Sequence, residues 1–144
     1  MSKNQGKIFE SQYKRSCEKQ NILCVRFNDT STSYIKEKNA RFTPSNICDF
    51  FTFFKRNAFF IECKSTEYGS MSFSVDPKES KMIKAHQISD LSNLSLFDNV
   101  YPCFLFNFRQ KEGIDQDTYL MHISDFNDFI SKTDKHSINK LDIV

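Results

Sequence analysis

Two charged residues interrupt the apolar stretch FFIECK at 59–64, and a carboxylate and an amine at this spacing could do chemistry together. Residues i and i+2 of a strand share a face, so Glu62 and Lys64 point the same way. The preceding apolar segment, ICDFFTFF at 47–54, carries one acid, Asp49. If a turn joins the two segments as a hairpin, Asp49 and Glu62 lie on neighbouring strands about 4.8 Å apart. Carboxylates this close repel one another, so a positive group must lie between them.

Two candidates for that positive group remain open, Lys64 itself and a divalent cation held by Asp49 and Glu62. Hard cations such as Mg²⁺ bind carboxylates, waters and substrate phosphates, and they polarise a phosphoryl oxygen and acidify water. A neighbouring lysine could hold or deprotonate that water and neutralise charge in the transition state. The pattern predicts metal-assisted phosphodiester hydrolysis. The alternative is a half-exposed strand that carries alternating charges and no chemistry.

The rest of the sequence predicts the elements that would position these residues. Apolar residues at helical spacing alternate with short runs rich in aromatic and β-branched residues. They predict a helix at 5–20, strands at 22–27, 47–54 and 58–64, a helix at 79–95, strands at 100–108 and 118–123, and a last helix capped by Ser124. This order predicts an α/β fold in which helices flank a central mixed sheet.

Three segments are predicted to lack regular structure. Residues 28–46 are polar and basic, and a connection this long is usually functional or disordered. Residues 65–78 contain Gly69 and several serines and predict a loop, and the polar tail 133–144 is expected to be loose.

Composition excludes several classes of protein. The chain has 144 residues, 26% charged and 39% hydrophobic, which favours one folded domain over residues 1–144 and excludes disorder. The sequence contains no run of 18 apolar residues that would predict a membrane helix. The N-terminus also lacks the apolar core of a signal peptide, so we expect a cytoplasmic protein. Five cysteines without CxxC spacing predict reduced core thiols, and three histidines show no metal-ligand spacing.

The stretch CDFF…FFIECK resembles the PD-(D/E)xK nuclease signature. Asp49 corresponds to the first acid and Glu62-Cys63-Lys64 to the (D/E)xK triplet, whereas Cys48 stands in place of the proline. The predicted order of elements over residues 5–107 is similar to the αβββαβ core of that superfamily. The resemblance implies a restriction-endonuclease-like fold to which a C-terminal strand and helix are added.

Further motifs resemble the RecU type of Holliday junction resolvase. Asn4-Gln5-Gly6 leads into a helix that bears Glu10, MSFSV at 71–75 follows the triplet, and His86-Gln87 belongs to the next helix. Archaeal Hjc-type resolvases share several of these features. The chain departs from the RecU pattern at Ile47, where the family has threonine. Its 28–46 segment is also shorter than the family's basic stalk, as in a compact phage-like member.

The resemblance implies a Mg²⁺-dependent endodeoxyribonuclease for four-way DNA junctions, with Mn²⁺ as a substitute metal. Asp49, Glu62 and Gln87 would hold the metal together with the Cys63 carbonyl, and Lys64 would orient or activate the attacking water. Glu10 would support the site. The alternatives are a surface Glu10–Lys14 pair and a partly exposed helix glutamine at position 87.

Positive charge is concentrated near the N-terminus, since residues 1–41 carry a net +5 and the remainder −3. Such asymmetry is typical of an end that faces nucleic acid, and the alternative is a solvated helix and loop. Aromatic residues of the same region, Tyr34 and Phe42, could stack on bases. The residues expected to contact DNA phosphates are Lys3, Lys7, Lys14, Arg15, Arg26, Lys36, Lys38 and Arg41.

Symmetric cutting of a junction implies a homodimer by analogy with the family, and the sixteen phenylalanines could supply its apolar interface. Three other functions remain open. The chain could be a restriction or repair endonuclease acting on duplex DNA, a non-catalytic DNA-binding module of the same fold, or a structural interaction protein.

Overall fold

The computed structural model of the chain describes residues 4–27, 46–109 and 117–143. The expected basic loop, with Tyr34 and Phe42, lies almost entirely outside these residues. The described elements are α1 (Gln5–Lys19), β1 (Leu23–Arg26), β2 (Phe50–Phe54), β3 (Asn57–Thr66), β4 (Ser70–Ser72), α2 (Ala85–Leu94), β5 (Val100–Phe108), β6 (Asp117–His122), α3 (Ile123–Lys132), β7 (Ser137–Asn139) and α4 (Lys140–Ile143).

The central sheet is mixed, as predicted. Its strand order is β1-β2-β3-β5-β6, in which β3 and β5 are parallel and the other neighbouring pairs are antiparallel. A parallel pair requires a crossover connection, and here that connection contains α2.

The β2–β3 hairpin sets the register of the charged residues. Its two-residue turn consists of Lys55 and Arg56, both in the left-handed region with φ of 48° and 66°. Such a turn matches the right-handed twist of the strands. Phe50 pairs with Ile61 at the far end of the hairpin, and the Asp49 N–H donates to the Ile61 carbonyl at 3.1 Å.

Each face of the sheet has its own apolar cluster. α1 buries Phe9 and Cys17 on one face, against Cys24, Phe50, Ile61, Cys63, Cys103 and Leu105. The opposite face packs on α2, α3 and the β4–β7 region, in a cluster that includes Phe73, Ile83, Ile88, Leu91, Phe104, Phe106, Phe126 and Ile138. Side chains alternate along β3, because Phe59, Ile61 and Cys63 join the first cluster and Phe60 the second.

The helix predicted from residue 79 begins six residues later, at Ala85. Ile83 is fully buried, and its N–H donates to the Ser72 carbonyl at 2.9 Å. It also forms a parallel bridge with Phe73. These bonds hold Ile83 in a strand-like bridge, so the helical spacing of this side chain did not determine its structure.

The segments expected to be loops or tail are also partly ordered. β3 continues to Thr66, and β4 pairs antiparallel with β7 in a second, two-stranded sheet. The expectation of a loose tail from 133 was wrong, because Ile138 of β7 is fully buried. The cap of α3 is His122 rather than Ser124, since the His122 ring accepts the Ser124 N–H at 3.0 Å.

One part of the sheet surface is apolar and exposed. Leu23 pairs with Phe53 and Val25 with Phe51, so these four side chains share the face opposite α1. Leu23, Val25 and Phe53 are 58%, 47% and 44% exposed. We call these four residues the outer apolar face. No helix in the described parts of the chain is long and apolar enough to cross a membrane.

Candidate active site

Asp49 and Glu62 meet where β2 begins. The register of the hairpin places Asp49 directly across from Glu62. Asp49 Oδ2 accepts the Cys63 N–H at 2.8 Å, which fixes this carboxylate against β3. Glu62 is only 6% exposed. The hairpin therefore brings a half-buried and a buried carboxylate together, as the sequence predicted.

Glu62 is held by two further side chains. Lys64 Nζ lies 3.4 Å from Glu62 Oε1, and Gln87 Nε2 donates to the same oxygen at 2.7 Å. The Gln87 amide oxygen accepts the backbone N–H of Lys84 at 3.0 Å. Because both ends of the Gln87 amide are engaged, Gln87 orients Glu62 in this arrangement and does not direct its oxygen into the cavity.

The pKa of Glu62 is raised from 4.5 to about 7, chiefly by burial and next by the neighbouring charge of Asp49. Lys64 opposes this increase, and Glu10 adds a smaller one. A carboxylate perturbed by burial and a like charge, at the wall of a cavity, is typical of functional sites. The site would gain stability from one more positive charge.

The cysteines beside the carboxylates do not act as nucleophiles here. Burial, and next the charges of Glu62 and Asp49, raise the pKa of Cys48 to about 12. Burial and the charge of Asp49 also raise the pKa of Cys63. Both thiols stay protonated at neutral pH, and a thiol is a poor nucleophile. All five cysteines are buried and free of disulfides.

Glu10 lies at the edge of the site but has a different partner from the one considered in the sequence. Its Oε2 contacts Arg26 Nη2 at 2.6 Å, whereas Lys14 pairs with Glu18 at 3.1 Å. Arg26 therefore neutralises Glu10, a role that sequence reasoning missed. No spacing rule would have found it, because the contact joins a helix to the strand that follows it.

A cavity of about 370 Å³ is lined by Asp49, Glu62, Gln87 and Glu10. Asn46 lines this cavity. Its neighbour Ile47 does not, and it is 42% exposed. Asn46 thus supplies a polar side chain to the cavity wall one residue before Ile47. The lining residues are Asn4, Gly6, Lys7, Glu10, Arg26, Phe27, Asn46, Cys48, Asp49, Glu62 and Gln87.

The donor set suits a hard divalent ion. Within residues 4–27, 46–109 and 117–143, no cluster of three or more His, Cys, Asp or Glu side chains is arranged to hold a metal. Mg²⁺ does not require one, because it keeps several waters and binds through one or two carboxylates and substrate phosphate. Asp49 and Glu62 supply two carboxylates, and a bound cation would offset the like charge of Asp49 that helps raise the pKa of Glu62.

The residues expected to contact DNA are only partly brought to the site. Lys7 lines the cavity, Arg26 and Lys14 are engaged in ion pairs, and Arg15 is exposed on α1. His86 is exposed and lines a neighbouring cavity. The others, Lys3, Lys36, Lys38 and Arg41, lie outside the described residues.

The fold is similar to that of a solved protein. Hjc, a Holliday junction resolvase from the archaeal hyperthermophile Archaeoglobus fulgidus, superposes with a TM-score of 0.59. The match covers 96% of this chain and 91% of Hjc, at 13% sequence identity. At this identity the likeness shows the fold, which is a mixed sheet flanked by helices.

The family follows from a closer relative. The SPbeta prophage-derived uncharacterized protein YotM of Bacillus subtilis (strain 168) is 35% identical over 147 residues, covering 97% of this chain and 70% of YotM. The chain belongs to the family of this prophage-derived protein. No protein-family profile matches the chain.

Proposed function

We propose that this chain is a Mg²⁺-dependent endodeoxyribonuclease that resolves four-way DNA junctions, with Mn²⁺ able to replace Mg²⁺. The observation that carries the proposal is the pairing of Asp49 with Glu62 at a cavity wall, with Lys64 Nζ 3.4 Å from Glu62. The fold shared with Hjc and the resemblance of the motifs to RecU support the choice of substrate. We place the activity in the cytoplasm of a bacterial or phage-infected cell, consistent with a prophage-derived relative.

The side chains would divide the work in hydrolysis. Asp49 and Glu62 would hold the metal with the Cys63 carbonyl, and the bound ion would polarise a phosphoryl oxygen and lower the pKa of water. Lys64 Nζ would donate hydrogen bonds to the attacking water and neutralise negative charge as the phosphorane-like transition state forms. Gln87 would keep the Glu62 carboxylate in place through its 2.7 Å bond. Glu10, paired with Arg26, would support the cavity wall.

A resolvase needs two sites related by a two-fold axis, because it must cut two strands symmetrically. We propose that a homodimer supplies them and that the outer apolar face is part of its interface. Leu23, Val25 and Phe53 present apolar side chains on a sheet face that α1 does not cover. A two-fold interface of this kind is self-complementary.

The proposal is tested on a set of labelled substrates comprising a synthetic four-way junction, a linear duplex and a splayed arm, each with Mg²⁺ or EDTA. We expect Mg²⁺-dependent cutting of the junction and little cutting of the other two. Equal cutting of the linear duplex would instead indicate a restriction or repair type of nuclease. Binding without any cutting, unchanged in Asp49→Ala and Lys64→Ala, would indicate a non-catalytic DNA-binding module.

A further inference from the structure

Three lysines in the segment that leads into α2 have no assigned role. Lys78, Lys81 and Lys84 are exposed. Within the described part of the chain, none of them forms an ion pair, whereas Lys14, Arg26 and Lys64 do. We call Lys78, Lys81 and Lys84 the basic rim. Exposed lysines without acidic partners are available to phosphate groups.

The basic rim is connected to the candidate site through one side chain. Gln87 bonds Glu62 at 2.7 Å through its amide nitrogen and the Lys84 N–H at 3.0 Å through its amide oxygen. The Lys84 backbone is therefore linked to the Glu62 carboxylate by two hydrogen bonds that pass through the Gln87 side chain. Phosphates recur about every 3.4 Å of helix axis along a DNA strand. When one phosphate of a DNA strand lies at Asp49 and Glu62, the next phosphates along that strand must lie within reach of nearby residues such as Lys84.

The segment that carries the basic rim is fixed before any ligand binds. Ser74 Oγ accepts the Asp76 N–H at 3.0 Å, and Asp76 Oδ1 accepts the Lys78 N–H at 2.9 Å. At its other end, buried Ile83 is bonded to β4. A backbone held in this way loses little conformational entropy on binding, so the cost falls mainly on the lysine side chains.

The shape and charge of the surface suit a phosphodiester backbone. Lys78, Lys84 and His86 line a cavity of about 320 Å³ that opens beside the first turn of α2. That turn contains no acidic residue, and the N-terminus of a helix carries partial positive charge. Glu79 is the one carboxylate in the lining.

We propose that the basic rim binds the DNA strand next to the scissile phosphate and sets its path into the site. This inference rests on the proposed function and assigns a DNA-contacting surface to residues 78–84, in addition to the N-terminal basic region. The rim acts in binding and positioning, and it leaves the chemistry to Asp49, Glu62 and Lys64.

The test measures binding separately from cleavage. A fluorescent four-way junction is titrated with protein in EDTA, and anisotropy gives the Kd at several salt concentrations. The rim variant is Lys78→Gln, Lys81→Gln and Lys84→Gln combined. The matched control, Lys19→Gln, Lys55→Gln and Arg56→Gln combined, removes the same charge at the opposite end of the sheet. Thermal unfolding checks that both variants fold.

We expect the rim variant to bind about tenfold or more weakly, with a salt slope shallower by up to about 2.7, since each phosphate contact contributes about 0.9. The control should lose much less affinity. Glu79→Gln should bind more tightly, because it removes the carboxylate from the same surface. If the rim variant has the same affinity and salt slope as the control variant, the proposal that the basic rim binds DNA is wrong.

The two proposals can fail separately. If wild-type protein cuts the junction in Mg²⁺ while the rim variant binds like the control, the rim is wrong and the nuclease stands. If the rim variant loses affinity while wild-type protein cuts nothing, the rim stands and the nuclease function is wrong.

Discussion

At the scale of single residues, the site is defined by carboxylates that the fold holds closer than their charges favour. Asp49 faces Glu62 across the hairpin and is fixed by the Cys63 N–H. Burial and this like charge raise the pKa of Glu62 to about 7. A hydrogen-bonded lysine and glutamine relieve only part of the cost of burial. This residual cost is the physical reason to expect that a cation binds to the two carboxylates.

We predict that Asp49→Asn and Lys64→Met each lower Mg²⁺-dependent junction cleavage by at least about a hundredfold, because Asp49 would hold the metal and Lys64 the attacking water. Junction affinity in EDTA should stay within about threefold of wild type, since neither side chain is needed for backbone binding. Cleavage is followed in single-turnover gels and affinity by anisotropy. Lys19→Gln serves as the control. Retention of cleavage in Asp49→Asn would contradict the assigned role.

We predict that the metal-free protein loses stability as pH rises from about 4.5 to 7. The pKa of Glu62 is raised in the folded state, so the fold binds this proton more tightly than the unfolded chain does. The associated stability is therefore present below the unfolded pKa and is lost as pH rises through the folded pKa. The shift corresponds to on the order of 3 kcal/mol. Urea unfolding in EDTA measures it.

Glu62→Gln is the control for this pH dependence, because the amide keeps the shape and cannot titrate. The unfolding free energy of wild type relative to the variant should fall as pH rises from about 4.5 to 7. Mg²⁺ should stabilise wild type more at pH 8 than at pH 5, since the ion binds the deprotonated carboxylate. Parallel pH profiles for the two proteins would show that Glu62 does not titrate near neutrality.

At the scale of elements, the β2–β3 hairpin carries the site with a turn whose residues suit it poorly. Lys55 and Arg56 both have positive φ, a region that favours Asn and Gly. We predict that Lys55→Asn with Arg56→Gly raises the unfolding free energy by about 0.5–1 kcal/mol. Chemical denaturation measures the change. The same pair of residues introduced at the exposed positions 78 and 79, where no positive φ is required, should not stabilise the protein.

The same hairpin explains how much the sequence could predict. Asp49 and Glu62 were placed correctly because strand alternation and a short turn are local rules. α2 was placed too early, because the bond from Ile83 to Ser72 is a tertiary contact that overrides helical spacing. β7 was missed for a related reason. Its three residues pair with β4 across the chain, and no local pattern identifies so distant a partner.

The candidate site shows the same limit. Glu10 and Gln87 were identified by their resemblance to motifs, and the helices bring both to the cavity. The partners of these residues, Arg26 for Glu10 and the Lys84 N–H for Gln87, come from contacts between or within elements that sequence spacing does not encode. The sequence analysis drew attention to Ile47, whereas the residue that lines the cavity is its neighbour Asn46.

At the scale of the whole molecule, the sheet is covered unequally. α1 covers one face, and α2 and α3 cover part of the other, so the β1–β2 end of that second face remains apolar and exposed. Exposed apolar patches of this kind usually mark interaction sites. The proposed two-fold dimer gives this surface a function.

We predict that the protein is a dimer in solution and that Phe53→Glu makes it a monomer, because a charge in the centre of an apolar interface is costly to bury. Light scattering after size-exclusion chromatography gives the mass. Leu141→Glu is the control, since Leu141 is 79% exposed and lies on α4, outside the β1–β2 pair. A dimer that survives Phe53→Glu, or a wild-type monomer, would contradict the proposed interface.

The most direct test of the central claim uses a supercoiled plasmid that extrudes a four-way cruciform. A dimer with two Asp49–Glu62 sites should cut both strands within one binding event and yield linear plasmid in Mg²⁺. We expect no product in EDTA or with Asp49→Asn, and none from a plasmid without the inverted repeat. Failure to cut in Mg²⁺ or Mn²⁺, or equal cutting of the plasmid that lacks the cruciform, would contradict the account.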